Sequence, residues 1–140
     1  MFEVTVESVF SAAHRLRGYE GACERLHGHN YRVEAAVSGR DLGPAGMLVD
    51  FKEIKRALAG VLGRLDHRCL NDDLADFGAG GLNPTAENIA RWVAGKLAAA
   101  LPGGARLARV RVWESDTSAA TYVPDDGADA AGQEAKETRP

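Results

Sequence analysis

Residues 2–14 of this chain alternate. Phe2, Val4, Val6, Phe10 and Ala12 fall on one side of an extended backbone, and Glu3, Thr5, Glu7 and Ser11 fall mostly on the other. A period of two marks a strand with one buried face and one wet face. Residues 29–38 alternate again, with Tyr31, Val33, Ala35 and Val37 on one face. A loop containing Gly18, Gly21 and Ala22 lies between the two, and Gly39, Gly43, Pro44 and Gly46 mark a broad turn after the second. The period then changes. Asp50 reads as a helix N-cap with Glu53 as its capping-box partner, and Phe51, Ile54, Leu58, Val61, Leu62 and Leu65 recur at helical spacing. A second helix opens around Asn83-Pro84-Thr85. Its stripe is Ile89, Trp92, Val93, Leu97 and Leu101, and Pro102-Gly103-Gly104 stops it. Strands over 106–114 and about 119–123 complete the series.

Strand, strand, helix, helix, strand, strand is the order of an α+β layer fold, a four-stranded antiparallel sheet with two helices on one face. Such a sheet leaves exposed edges, which oligomerisation would close. At 140 residues the chain suits one domain, expected over 1–123. Residues 124–140 hold Asp125, Asp126, Asp129, Glu134 and Glu137 against Lys136 and Arg139, so they carry the whole formal charge of −3. With no large apolar residue, this acidic segment cannot repay its ordering entropy and is expected to be a disordered tail.

The near-neutral balance provides no electrostatic footprint for nucleic acid. No stretch approaches the ~18 apolar residues of a membrane span. Two cysteines, Cys23 and Cys69, are too few for a disulfide framework. MFEVTVESVF also lacks the basic and apolar regions of a signal peptide. A cytoplasmic location is expected, with a small molecule as the partner.

Three of the four histidines fall where strand parity matters. His14 continues the inward face of the first strand, while His27 and His29 share the face that carries Tyr31. Three imidazoles with an open fourth position describe a catalytic zinc site. Spacing alone equally allows a chance His-x-His and a core histidine. Cys23, four residues before His27, reads as a fourth ligand, as a thiolate base, or as a small buried hydrophobe, which is the reading given to Cys69. Asp66-His67 suits a proton shuttle or a plain exposed turn. Glu114 continues the inward face of Ala108, Val110 and Val112. There it calls for a ligand with paired N–H donors, unless the strand has already left the core.

In order along the chain, FSAAH (10–14), Cys-x-x-x-His-Gly-His-Asn-Tyr (23–31), LDH (65–67), NPTAEN (83–88) and WES (113–115) resemble the 6-pyruvoyltetrahydropterin synthase / 6-carboxytetrahydropterin synthase family. The resemblance runs over about residues 2–123. It implies a tunnelling fold assembled into trimeric barrels, commonly a homohexamer, with sites between subunits. It makes His14, His27 and His29 the zinc ligands, and it makes Cys23 a catalytic base rather than a ligand. Asp66 and His67 complete the proton relay, in a position to serve a neighbour's zinc. Glu114 anchors the pterin through N3–H and the 2-amino group, and Thr85 and Glu87 line its pocket. Arg15, Arg17 and Arg25 are candidates for the triphosphate.

The implied substrate is 7,8-dihydroneopterin triphosphate. The three-residue gap between Cys23 and His27 resembles the branch that forms 6-carboxytetrahydropterin for queuosine and other deazapurines. The alternatives are triphosphate elimination to 6-pyruvoyltetrahydropterin, and cleavage of dihydroneopterin to 6-hydroxymethyl-7,8-dihydropterin through Glu24.

Overall fold

The computed structural model describes residues 1–21 and 24–125. Cys23 and residues 126–140, most of the expected tail, lie outside the described residues. The elements are β1 (Phe2–His14), β2 (His27–Gly39), α1 (Phe51–Leu62), β3 (Arg68–Cys69), α2 (Leu70–Asp73), α3 (Ala86–Ala100), β4 (Arg106–Trp113) and β5 (Ala119–Tyr122). A single 3₁₀ turn over Ala75–Phe77 follows α2.

The sheet order is β3-β1-β2-β4-β5. Neighbours from β1 to β5 are antiparallel, and β3 runs parallel to β1 through Ala12 and Ala13. The expected four-stranded antiparallel sheet is therefore a five-stranded mixed one, and there are three α-helices rather than two. Both additions are short. A two-residue strand and a four-residue helix have no room to show a period.

The inward parity follows the alternation. Val6, Phe10, Tyr31, Val33, Ala35 and Val37 are buried in one cluster with Ile54, Leu58 and Val61 of α1 and Ile89, Val93 and Leu97 of α3. Both long helices therefore cover the same face of the sheet. Phe10 and Tyr31, opposite each other in register, stack with ring centroids 4.6 Å apart.

The Asp50 carboxylate caps α1 as expected, accepting from the Lys52 amide at 2.9 Å. Three apolar positions depart from the reading. Phe51 in the first turn is exposed, and Leu65 lies past the helix end yet is fully buried. A register shift at Ala36/Val37 buries Leu107 in place of Ala108, which is half-buried. Such a bulge inserts one residue and moves the inward parity by one. On α3, Thr85 is the N-cap, its hydroxyl accepting from the Asn88 amide at 3.1 Å.

Candidate metal centre and active site

The antiparallel register places His14 opposite His27 and Ala12 opposite His29. Inward parity then aims all three imidazoles at one spot, at the end of the sheet and on its helix-covered face. One ligand atom from each ring lies within 4.8 Å of the others, and His14 Nε2 is 3.0 Å from His27 Nε2.

Hydrogen bonds on the far sides of the rings decide which nitrogen is free. His14 Nδ1 lies 2.7 Å from the Pro84 carbonyl, and His27 Nδ1 lies 2.6 Å from the Arg25 carbonyl. A carbonyl only accepts, so each Nδ1 carries the proton and each Nε2 presents a lone pair. Two lone pairs at 3.0 Å repel unless a cation sits between them. His29 Nε2 is buried and has no hydrogen-bond partner among the described residues. An orphaned imidazole nitrogen beside two others of the same polarity is the donor set of a three-histidine metal site.

Two further groups face the centre. Tyr31, fully buried, brings its hydroxyl to 3.3 Å from His14 Nδ1. Burial, and then the Glu114 charge, push the Tyr31 pKa upward and keep it neutral. Glu114 follows the end of β4, where its amide donates to the Ser118 carbonyl across the β4–β5 turn. Its Oε1 lies 3.5 Å from His14 Nε2 and 3.6 Å from His29 Nε2. The strand has ended at Trp113, and the Glu114 carboxylate, about a third exposed, still faces the centre.

Burial holds the His14 pKa below its ordinary 6.5. The Pro84 carbonyl and Glu114 oppose that shift, and the charges of His27 and His29 add to it. Burial likewise lowers His29, against Glu114 and alongside His27. A histidine depressed on folding binds fewer protons than in the unfolded chain, so its contribution is complete above 6.5 and lost as pH falls through the window below it. Asp66 and Asp72 lie below their ordinary 3.8 and do not titrate there. In urea titrations of the metal-free protein, the midpoint is expected to fall as pH drops from ~7.5 to ~5.5. A level midpoint would mean that the imidazoles charge as readily inside the fold as outside it.

Asp66 and His67 sit between α1 and β3, fastened to β1 at one residue. Asp66 Oδ1 accepts from the Ser11 amide at 2.9 Å, and the His67 amide donates to the Ser11 carbonyl at 2.6 Å. The pair is also joined to itself, Asp66 Oδ2 lying 2.9 Å from His67 Nδ1. The Ser11 amide first, and then His67, hold the Asp66 carboxyl below the usual range. His67 adopts a left-handed backbone, φ 58°, which a non-glycine residue keeps only where its surroundings impose it. Its ring is 83% exposed and has no hydrogen bond to the three histidines among the described residues. It borders an open depression of about 520 Å³ with Ser11, Asn30, Arg68 and Cys69.

The other anticipated residues scatter. Glu24 and Glu87 are exposed, and Thr85 is half-buried as the cap of α3. Arg17 is committed to the fold, donating to the carbonyls of Phe77, Gly81 and Leu82. Arg15 pairs with Asp72 at 2.8 Å, and Arg25 is exposed. Cys69 is not a buried hydrophobe. It is half-buried, and its thiol donates to Asp72 at 3.3 Å. Sequence reasoning missed Tyr31 as part of the centre, although it lies two residues past His29 on the same face. It also missed the Pro84 carbonyl, for which no local signal exists.

Comparison with known proteins places this arrangement among relatives. The family model described as 6-pyruvoyl tetrahydropterin synthase matches residues 3–125. A 6-carboxy-5,6,7,8-tetrahydropterin synthase of Synechocystis sp. is 41% identical over 128 residues, covering 87% of this chain and 93% of that protein. A dihydroneopterin monophosphate aldolase of Pyrococcus furiosus is 37% identical over 107 residues, covering 76% of this chain and 84% of the relative. The solved structure of Caenorhabditis elegans 6-pyruvoyl tetrahydropterin synthase superposes with a TM-score of 0.76 at 31% identity, over 88% of this chain and 96% of that one.

Proposed function

The chain belongs to the 6-pyruvoyl tetrahydropterin synthase family, and from that premise we propose that it is a zinc-dependent lyase, a 6-carboxytetrahydropterin synthase. It converts 7,8-dihydroneopterin triphosphate to 6-carboxy-5,6,7,8-tetrahydropterin, with release of acetaldehyde and triphosphate, in the cytoplasm. The observation that carries this reading is the convergence of His14, His27 and His29, with the Glu114 carboxylate 3.5 Å from the first of them. The short Cys23–His27 gap and the Synechocystis relative support the carboxy branch.

His14, His27 and His29 would hold the zinc, which would supply Lewis acidity beside the substrate side chain. The remaining work belongs to the chain's own groups. Glu114 accepts two charge-assisted hydrogen bonds from the pterin N3–H and 2-amino group, which orients the ring. Thr85 and Glu87 line the pterin from the start of α3. The Cys23 thiolate removes a proton from the side chain. His67, its Nδ1–H held by Asp66, gives or accepts a proton at Nε2.

We assign this step to a neighbouring subunit's site, a reading supported by the 83% exposure of the His67 ring. The reading therefore includes a homo-oligomer of the tunnelling type, a trimeric barrel or a hexamer of two. Exposed sheet edges support it: β3 pairs only with Ala12 and Ala13, leaving β1 before them uncovered, and β5 borders the other side. No helix among the described residues is long and apolar enough to cross a membrane.

A second reading is dihydroneopterin side-chain cleavage to 6-hydroxymethyl-7,8-dihydropterin through Glu24, which the Pyrococcus relative and the exposure of Glu24 favour. Triphosphate elimination to 6-pyruvoyltetrahydropterin is the third. One experiment separates them: anaerobic incubation of the zinc-loaded protein with dihydroneopterin triphosphate and, separately, with dihydroneopterin, followed by mass spectrometry of the pterins. The expected result is 6-carboxytetrahydropterin with acetaldehyde from the triphosphate. A pyruvoyl or 6-hydroxymethyl product would replace the carboxy assignment with the corresponding branch.

A further inference from the structure

The β1–β2 ladder ends at the His14–His27 pair. Beyond it, the backbone of β1's continuation is held by two asparagine side chains. Asn71 Oδ1 accepts from the Arg15 amide at 2.9 Å, and its Nδ2 donates to the Arg15 carbonyl at 3.0 Å. Asn83 makes the same pair of bonds to Arg17, at 2.9 and 3.0 Å. A carboxamide presenting one acceptor and one donor to a single residue imitates one rung of an antiparallel ladder. The segment carrying His14 is thus extended without a strand to pair with.

The two clamps differ in what lies behind them. Asn71 is buried in α2, and its carboxamide is spent on Arg15. Asn83 directly precedes Pro84, whose carbonyl accepts from His14 Nδ1 at 2.7 Å. The backbone of Asn83 is fastened as well: its own carbonyl accepts from the Thr85 amide at 2.8 Å and from Asn88 Nδ2 at 2.9 Å. The Asn83–Pro84 unit is therefore tied on one side to the chain that carries His14, and on the other to the start of α3. Proline has no amide hydrogen and a fixed φ, so once Asn83 is set the Pro84 carbonyl has little freedom left.

We propose that Asn83 is a positioning residue of the metal centre, its side-chain clamp on Arg17 setting where the Pro84 carbonyl holds the His14 imidazole. This rests on reading His14, His27 and His29 as a metal site. Asn83 touches neither metal nor substrate and acts through His14. The bond at stake, from His14 Nδ1 to the Pro84 carbonyl, is an outer-shell one, and loss of such a bond costs ~10–100-fold in metal affinity.

The test uses the full chain with zinc alone. Zinc affinity is measured by competition with a chromophoric chelator for wild type, Asn83→Ala and Asn71→Ala. Urea midpoints of the metal-free forms and visible spectra of the cobalt-substituted forms accompany it. Expected for Asn83→Ala is a zinc Kd ~10–100-fold weaker, with a shifted cobalt band. Asn71→Ala is expected to lower the urea midpoint while leaving the zinc Kd within a few-fold and the cobalt spectrum unchanged.

Wild-type affinity and an unshifted cobalt spectrum in Asn83→Ala would overturn the proposal. So would equal zinc loss in both variants, in proportion to their lost stability, because that is the signature of a clamp that only holds the fold. If Asn83→Ala does not fold, Asn83→Asp keeps the acceptor for the Arg17 amide, loses the donor, and carries the same comparison. A wild type that takes up no zinc would fail the three-histidine reading itself, an outcome distinct from wild-type binding with unaffected variants.

Discussion

Metal-free His29→Ala protein is expected to unfold no earlier than metal-free wild type, and to gain nothing from added zinc. The first half follows from the orphaned Nε2 of His29. A buried polar atom with no partner costs about 1–3 kcal/mol, so removing the ring removes a penalty along with some packing. The second half follows from ligand count. Wild type at a hundredfold excess of zinc over its Kd should gain about 2.7 kcal/mol, whereas two remaining imidazoles no longer define the site. Zinc-dependent thermal shift and turnover should disappear together. A variant that lost stability without metal but kept its zinc shift would mean that His29 is a packing residue and that the metal, if any, sits elsewhere.

Cys23→Ala tests the other half of the chemistry. As the base, Cys23 contributes roughly 10²–10⁴-fold to turnover, and its loss should appear in kcat with zinc content unchanged. As a fourth ligand in a closed Cys-His₃ site, the same substitution would instead lower zinc affinity. Unchanged turnover and unchanged zinc would remove Cys23 from both roles and leave a thiolate-free mechanism. Metal analysis and steady-state kinetics on one preparation separate the three outcomes.

The fold was legible wherever a period existed. Alternation in β1 and β2 put Phe10, Tyr31, Val33 and Val37 inward, and the same parity put His14, His27 and His29 on one face before any pairing was known. Periodicity was silent on β3, because two residues carry no pattern. It misjudged Ala108, because that residue is itself the one inserted by the bulge in β4, and alternation assumes an unbroken ladder. Most of what aims the site was beyond it altogether. Asp66 reaches Ser11 across 55 residues, Asn83 reaches Arg17 across 66, and the Pro84 carbonyl reaches His14 across 70. These are side-chain bonds to single backbone groups, made by residue types common in any turn. Only the tertiary fold shows which of them meet.

His14, His27 and His29 bring one imidazole nitrogen each within 4.8 Å of the others, and that donor set governs what the site will accept. A ready-made trio of imidazoles suits several first-row divalent ions, and affinity for such a donor set rises from cobalt through nickel to copper before falling back at zinc. The cage therefore discriminates poorly by itself, and the cell's supply of each ion decides the occupant. Protein recovered on a nickel resin is expected to carry nickel in part of its sites, which makes specific activity a record of handling until the bound ion has been identified and exchanged.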